Sequence, residues 1–301
     1  MPRAAIDLGS NSVLLTVVDD AGRVVHDEAR VVGLGRGLGD RGVFRPDRKA
    51  AAEAALAEYV ATAAGLGVAP NDIRAVATSA ARRATDADTW FGHVERQLGV
   101  RFAVLSGERE AELTWRGAQV DLDVPGPLLV VDVGGGSTEL VSGNGEEIRV
   151  QVSLELGSVR LTERFLCAPG ATEPDHIDPR ALDRLRVYVD SELAAVSLVP
   201  LPRTVVAVAG SATTLAATLL GLYVYDGAAV HGQVVSRAEL TRLVDTLAGA
   251  SSAERRARVP TAPDRADWLP AAGVLFDRIL EAAAAPSLVV SDRGLRYGLL
   301  T

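Results

Sequence analysis

Two short segments carry residue types that hold phosphate. Asp7-Leu8-Gly9-Ser10-Asn11-Ser12-Val13-Leu14-Leu15 and Asp132-Val133-Gly134-Gly135-Gly136-Ser137-Thr138-Glu139-Leu140 share the frame D-[LV]-G-x-x-S-x-x-L. A Gly-rich turn between strands lets backbone N–H groups point at a ligand, because Gly accepts positive φ and close approach. Ser10, Asn11, Ser12, Ser137 and Thr138 add side-chain donors. Two such turns facing each other would grip one phosphoryl group from both sides. Asp7 and Asp132 end the preceding strands, where their carboxylates would repel phosphate unless a divalent cation sat between, and Glu139 is spaced to reach the same ion. A single copy reads equally as a tight β-turn with a capping Asp. Two matched copies favour the phosphate site.

Three further segments bear on the chemistry. Leu105-Ser106-Gly107-Glu108-Arg109-Glu110-Ala111-Glu112-Leu113 opens a helix. A capping box on Glu110 would account for its acidic first turn. Alternatively, a carboxylate there could orient and deprotonate a water beside a bound phosphate. Thr78-Ser79-Ala80-Ala81-Arg82-Arg83-Ala84 puts two arginines at a strand end, either clamping phosphate oxygens or solvating a helix start. Val208-Ala209-Gly210-Ser211-Ala212-Thr213-Thr214 reads as strand, Gly turn and helix N-terminus, suited to an anion. In Ser291-Asp292-Arg293-Gly294-Leu295-Arg296, Asp292 reads as an N-cap. The sequence holds no G-x-x-x-x-G-K-[ST] P-loop, no G-x-G-x-x-G after a strand and no G-x-S-x-G elbow.

The elements that must position these residues follow from the same repeat. Each copy reads as strand, Gly/Ser turn, strand, turn, strand, with Ala4–Ile6 and Leu128–Val131 leading in and 24–30 and 146–152 closing. The copies stand about 125 residues apart, close to one domain each, so a duplicated domain with a cleft between the halves is the simplest account. Helices are expected over 47–64, 86–98, 106–117, 159–165, 179–196, 237–248, 266–284 and 292–300, and strands over 73–78, 102–105 and 287–290. The two prolines and Gly of 121–127 mark the expected joint. The predicted fold is α/β, with one domain over 1–123, a second over 124–301, and the last helix, about 291–301, packing back on the first.

Composition narrows the classes. The net charge of −8 argues against a general nucleic-acid coat, so an anionic substrate must be held locally. A single cysteine, Cys167, excludes a disulfide framework and a Cys-based zinc site and fits a reducing cytoplasm, and four scattered histidines leave only a hard metal on carboxylates. Met1-Pro2-Arg3 leads straight into an apolar strand, with no signal-peptide core. Thr204 to Tyr225 carries no charge, but its Gly, Ser, Thr and Ala content reads as strand, turn and helix rather than a membrane span.

Taken in order, Ala5–Ser12, Ala77–Arg82, Leu105–Ala111, Val131–Leu140 and Ala209–Ala216 resemble the exopolyphosphatase / guanosine pentaphosphate phosphohydrolase family, within the actin-like ATPase superfamily. The resemblance covers the whole chain, and Ser291–Leu300 resembles the family's terminal segment. It implies two actin-like (ribonuclease H-like) domains and Mg²⁺- or Mn²⁺-dependent hydrolysis of a terminal phosphoanhydride. By resemblance, Glu110 is the catalytic glutamate that activates water. Asp132 and Glu139, with Asp7, form the metal site. Ser10, Asn11, Ser12, Gly134, Gly135, Gly136, Ser137 and Thr138 form the two phosphate loops, Arg82 stands near the terminal phosphate, and Gly210 and Ser211 contribute a third turn. Arg109 stands where the family often has Glu, Asp86 where Asn is common, and Ala209-Gly210-Ser211 replaces a Gly-Gly-Thr style turn, which puts substrate preference in question. Longer relatives add a helical C-terminal part, so short-chain polyphosphate is the expected substrate. Guanosine pentaphosphate hydrolysis and a non-catalytic nucleotide-binding module are the alternatives. No nucleic-acid or membrane partner is expected, and the resemblance allows a homodimer.

Overall fold

The computed structural model describes residues 1–38, 42–171, 173–198 and 201–301. The chain divides into two compact units, one of Met1–Gly117 with Leu295–Thr301 and one of Ala118–Gly294. The chain therefore passes from the first unit to the second at 117/118, ahead of the 121–127 segment, and returns at 294/295.

In the first unit, β1 (Arg3–Leu8), β2 (Ser12–Val18) and β3 (Val24–Val31) form an antiparallel meander, to which β4 (Arg74–Ala77) and β5 (Phe102–Val104) add in parallel. The order is β3-β2-β1-β4-β5. Strand alternation sends side chains of β1 to opposite faces. Ala4, Ile6 and Leu8 enter the main core with Leu56 and Tyr59 of α1 (Pro46–Gly65) and Trp90, Phe91 and Val94 of α3 (Ala87–Leu98); α2 is the short Ser79–Arg83. Ala5 and Asp7 take the other face. There Ala5 packs with Val18 and Leu300, and Val76 with Leu113 and Leu295. Leu113 comes from α4 (Gly107–Ala118), and Leu295 and Leu300 from α12 (Leu295–Leu300), the terminal helix, which thus packs on β1.

The second unit repeats the scheme. Antiparallel β6 (Leu128–Val133), β7 (Thr138–Asn144) and β8 (Glu147–Leu154) are extended in parallel by β9 (Thr204–Val208) and β11 (Ser287–Val290), with β10 (Val234–Ser236) antiparallel at the edge. The order β8-β7-β6-β9-β11-β10 matches the first sheet strand for strand through its first five members. This duplicated α/β topology is the one that the repeat implies. Leu129, Val131 and Val133 enter the core with α6 (Pro179–Leu193), α7 (Ala209–Leu219), α9 (Arg237–Ala248) and α11 (Leu269–Ala282), which leaves Asp132 on the opposite face, as with Asp7. Asp178 caps α6 by accepting from the Arg180 N–H, as expected of an Asp-Pro start. The expected helix at 159–165 is instead α5 (Ser158–Leu161) followed by a π turn, and α8 (Gly227–Val230) and α10 (Ser252–Arg258) were not foreseen.

Candidate active site

The two Asp-Gly-Ser turns are the same turn. Each closes with one hydrogen bond, Gly9 N–H to Ser12 O at 2.9 Å and Gly134 N–H to Ser137 O at 3.0 Å. In each, the carbonyls are taken by the next segment: Val32 and Gly33 donate to Asn11 O and Gly35 to Ser10 O, while Ser158 donates to Gly134 O and Val159 and Arg160 to Gly135 O. The N–H groups of Ser10, Asn11, Gly135 and Gly136 carry no hydrogen bond among the described residues. A turn whose acceptors are used and whose donors are left over is built for an anion. Each turn is backed closely by a glycine. A Cβ on Gly35 would lie 3.1 Å from Ser10 Cβ, and one on Gly157 would overlap the Gly135 and Gly136 backbone.

The predicted side-chain donors divide. Thr138 is fully buried and gives its hydroxyl to Leu156 O, and Ser211 gives its hydroxyl to Val133 O at 2.9 Å. Both therefore fix the loop rather than present a free donor. Gly210 and Ser211 do not form a turn ahead of the helix, as expected, but its first turn, α7 beginning at Ala209, whose φ is +65°. The strain of turning out of β9 thus falls on Ala209. Sequence reasoning missed Arg265. Its half-buried guanidinium covers this turn, with Nη2 2.8 Å from where a Gly210 Cβ would be. Burial pushes it below the usual arginine range. A single Arg after Pro263-Asp264 gave no local signal.

In the first unit, Glu110 is not the capping-box residue. The Ser106 hydroxyl accepts from the Arg109 N–H at 3.2 Å, and Glu110 turns toward the sheet. Arg82 Nη1 donates to Glu110 Oε2 at 2.6 Å and to Leu105 O at 3.0 Å, and the Thr78 hydroxyl donates to the same carboxylate. Arg82 belongs to α2 and is neither a solvated helix start nor a free clamp; it orients Glu110. Burial raises the Glu110 pKa above the ordinary value, opposed by Arg82 and Thr78. Asp7 shares this region. Its Oδ1 is buried with no hydrogen-bond partner among the described residues. Burial first, then the Glu110 charge, push its pKa to about 7, against the pull of Arg296. Val76, the parallel register partner of Asp7, packs on Leu113, one helical turn from Glu110, which explains how two residues so distant in sequence meet.

In the second unit, Asp132 and Glu139 are direct antiparallel partners, and Glu139 is in turn opposite Ser153, whose hydroxyl donates to it at 2.9 Å. Two carboxylates side by side at a sheet end offer hard oxygen donors. The predicted metal residues thus divide between the units, Asp7 in one and Asp132 and Glu139 in the other. Among the described residues, no group of three or more His, Cys, Asp or Glu side chains converges. Asp292 does not cap the last helix; it accepts from the Tyr225 hydroxyl, and α12 starts three residues later.

A sequence model of the Ppx/GppA phosphatase family matches residues 14–301. The chain belongs to this family. Among curated relatives, exopolyphosphatase 2 of Mycobacterium tuberculosis is 36% identical over 313 residues, covering 98% of this chain and 96% of that protein. Among solved structures, the Aquifex aeolicus member of the Ppx/GppA family is 33% identical with a TM-score of 0.84, covering 100% of this chain and 96% of that one. An exopolyphosphatase from Cytophaga hutchinsonii is 25% identical with a TM-score of 0.87, again covering 100% and 96%. No helix among the described residues is long and apolar enough to cross a membrane.

Proposed function

We propose that this Ppx/GppA protein is an exopolyphosphatase, a hydrolase that removes the terminal phosphate of polyphosphate, short chains in particular, as orthophosphate. The observation that carries the reading is Glu110, only 15% exposed, held by Arg82 and Thr78 and close enough to Asp7 for their charges to interact, in the unit whose Ser10 and Asn11 N–H groups lack partners among the described residues. The relation to exopolyphosphatase 2 supports it. Glu110 accepts a proton from water, whose oxygen attacks the terminal phosphorus. The bridging P–O bond breaks, and its electron pair leaves with the shortened chain. A raised pKa makes Glu110 a better proton acceptor. The N–H groups of Ser10 and Asn11, in the same unit as Glu110, bind the non-bridging oxygens, where charge accumulates in the transition state, and those of Gly135 and Gly136 give the second unit a matching set of phosphate donors.

The residues fit a divalent cation. Asp7 offers a buried oxygen with no hydrogen bond, and Asp132 and Glu139 offer paired carboxylates. In each unit these carboxylates would serve as ligands to Mg²⁺ or Mn²⁺, which when bound neutralises phosphate charge. The proposal places the enzyme in the cytoplasm, where the lone thiol of Cys167 stays reduced, and allows a homodimer, which light scattering would decide.

Phosphate release should be measured from short polyphosphate, long polyphosphate and guanosine pentaphosphate, with Mg²⁺ and with EDTA. Glu110→Gln should lower kcat by about 10²–10⁴-fold, the range of a positioned general base. Faster release from guanosine pentaphosphate than from polyphosphate would reassign the substrate. Tight nucleotide binding without release from any of the three would favour a sensor.

A further inference from the structure

The terminal helix α12 makes a set of contacts that simple capping of the chain end does not require. Its carbonyls at Leu299 and Leu300 accept from the guanidinium groups of Arg74 and Arg3. Arg296, only 9% exposed, donates to Leu15 O, to the Thr16 hydroxyl at 2.7 Å and to the Asp27 carboxylate, and the Tyr297 hydroxyl also donates to Asp27 at 2.8 Å. Thr16 is the register partner of Ala5, so Arg296 grips the sheet on the face that carries Asp7, two residues along β1. Between these anchors Gly298 lies against α4. A Cβ on it would stand 2.8 Å from the Leu113 carbonyl carbon and 3.0 Å from its Cα, and closer still to the carbonyl oxygen. All of these atoms but the added one are backbone, so something must move if a side chain is introduced. Leu113 follows Glu110 by one helical turn, and its side chain packs on Leu295 of α12.

We propose that Gly298 and Arg296 are positioning residues for Glu110: Arg296 fixes α12 on the sheet, and the bare backbone of Gly298 sets how closely α4, and with it Glu110, approaches β1. This rests on the reading of Glu110 as the residue that activates water. Misplacing a catalytic group by about 1 Å costs about 10²-fold in rate. Gly298→Ala should therefore lower kcat for polyphosphate by about tenfold to a hundredfold, with KM changed less than about threefold, because the phosphate-binding turns are untouched. Val94→Ala, which removes packing on the other face of the same sheet, is the stability control and should leave kcat within about twofold.

Hydrogen exchange of the 108–114 amides, which does not depend on turnover, is the second readout. They should exchange faster in Gly298→Ala than in wild type and be unchanged in Val94→Ala. A folded Gly298→Ala protein with wild-type kcat would overturn the proposal, as would kcat losses in both variants that track lost stability. If wild type does not hydrolyse polyphosphate, the functional reading has failed. Hydrogen exchange then decides the positioning by itself, and unchanged α4 exchange in Gly298→Ala overturns it. Should Gly298→Ala not fold, Arg296→Lys, which keeps the charge but loses the guanidinium fork, is judged by the same two readouts.

Discussion

Glu110 and Asp7 are two carboxylates whose surroundings disagree with their charge. Burial raises both, and among the described residues only Glu110 has a cationic partner in direct contact, Arg82. A base must be ionised to act, so activity falls as pH drops through the Glu110 pKa. The acid limb of kcat/KM should therefore have its midpoint above 4.5, the ordinary glutamate value. A midpoint at or below that value would mean that burial does not govern the base. For Asp7 the sign concerns stability. A raised folded-state pKa favours the protonated form, so its stability contribution is whole below the unfolded value of 3.8 and is lost as pH rises to about 7. Asp7→Asn should match wild type in urea stability near the lower end of this window. Above its upper end, without added metal, it should be the more stable by on the order of 4 kcal/mol. Equal midpoints at both pH values would remove the case for a charged, desolvated Asp7.

At the scale of elements, the two turns depend on what lies behind them. Gly157 sits against Gly135 and Gly136 so tightly that any side chain must displace the loop, and its own backbone φ is ordinary. Gly157→Ala should therefore act on the loop rather than on chain flexibility, lowering kcat/KM at least about tenfold while circular dichroism stays native. Wild-type kcat/KM in that variant would show that the loop is not a phosphate ligand. The repeat was legible because both copies keep one short frame, D-[LV]-G-x-x-S-x-x-L, whose apolar alternation specifies strands. The backing glycines were not legible as partners of the turns. Gly35 and Gly157 lie well outside the frame and meet it only after the third strand of each meander has returned.

The whole molecule carries a net charge of −8 and acts, on the proposed reading, on a polyanion. Long-range repulsion then slows encounter, while short-range donors do the holding. Raising ionic strength at fixed free Mg²⁺ should raise kcat/KM for polyphosphate by about twofold or more, because salt screens the distant charges more than the bound contacts. A basic polymer-binding surface would give the opposite slope, and so would refute local recognition.

The sequence by itself determined the duplicated strand–turn–strand frame, the α/β class, the family and the candidate residues Asp7, Glu110, Asp132 and Glu139. Each of these is written in short runs whose spacing and alternation act locally. Only the tertiary structure decided what those residues touch. From its neighbours alone Glu110 reads equally as a capping residue or as a carboxylate beside phosphate, and Arg82 and Thr78, brought over by β4 and α2, claim the carboxylate. Thr138 and Ser211 looked like ligand donors, and the packing of distant carbonyls made them fasteners. Arg265 over Gly210 and Gly298 against Leu113 join segments far apart in the chain. Such contacts depend on how the sheets and helices close on one another, and no local pattern of residues encodes that closure.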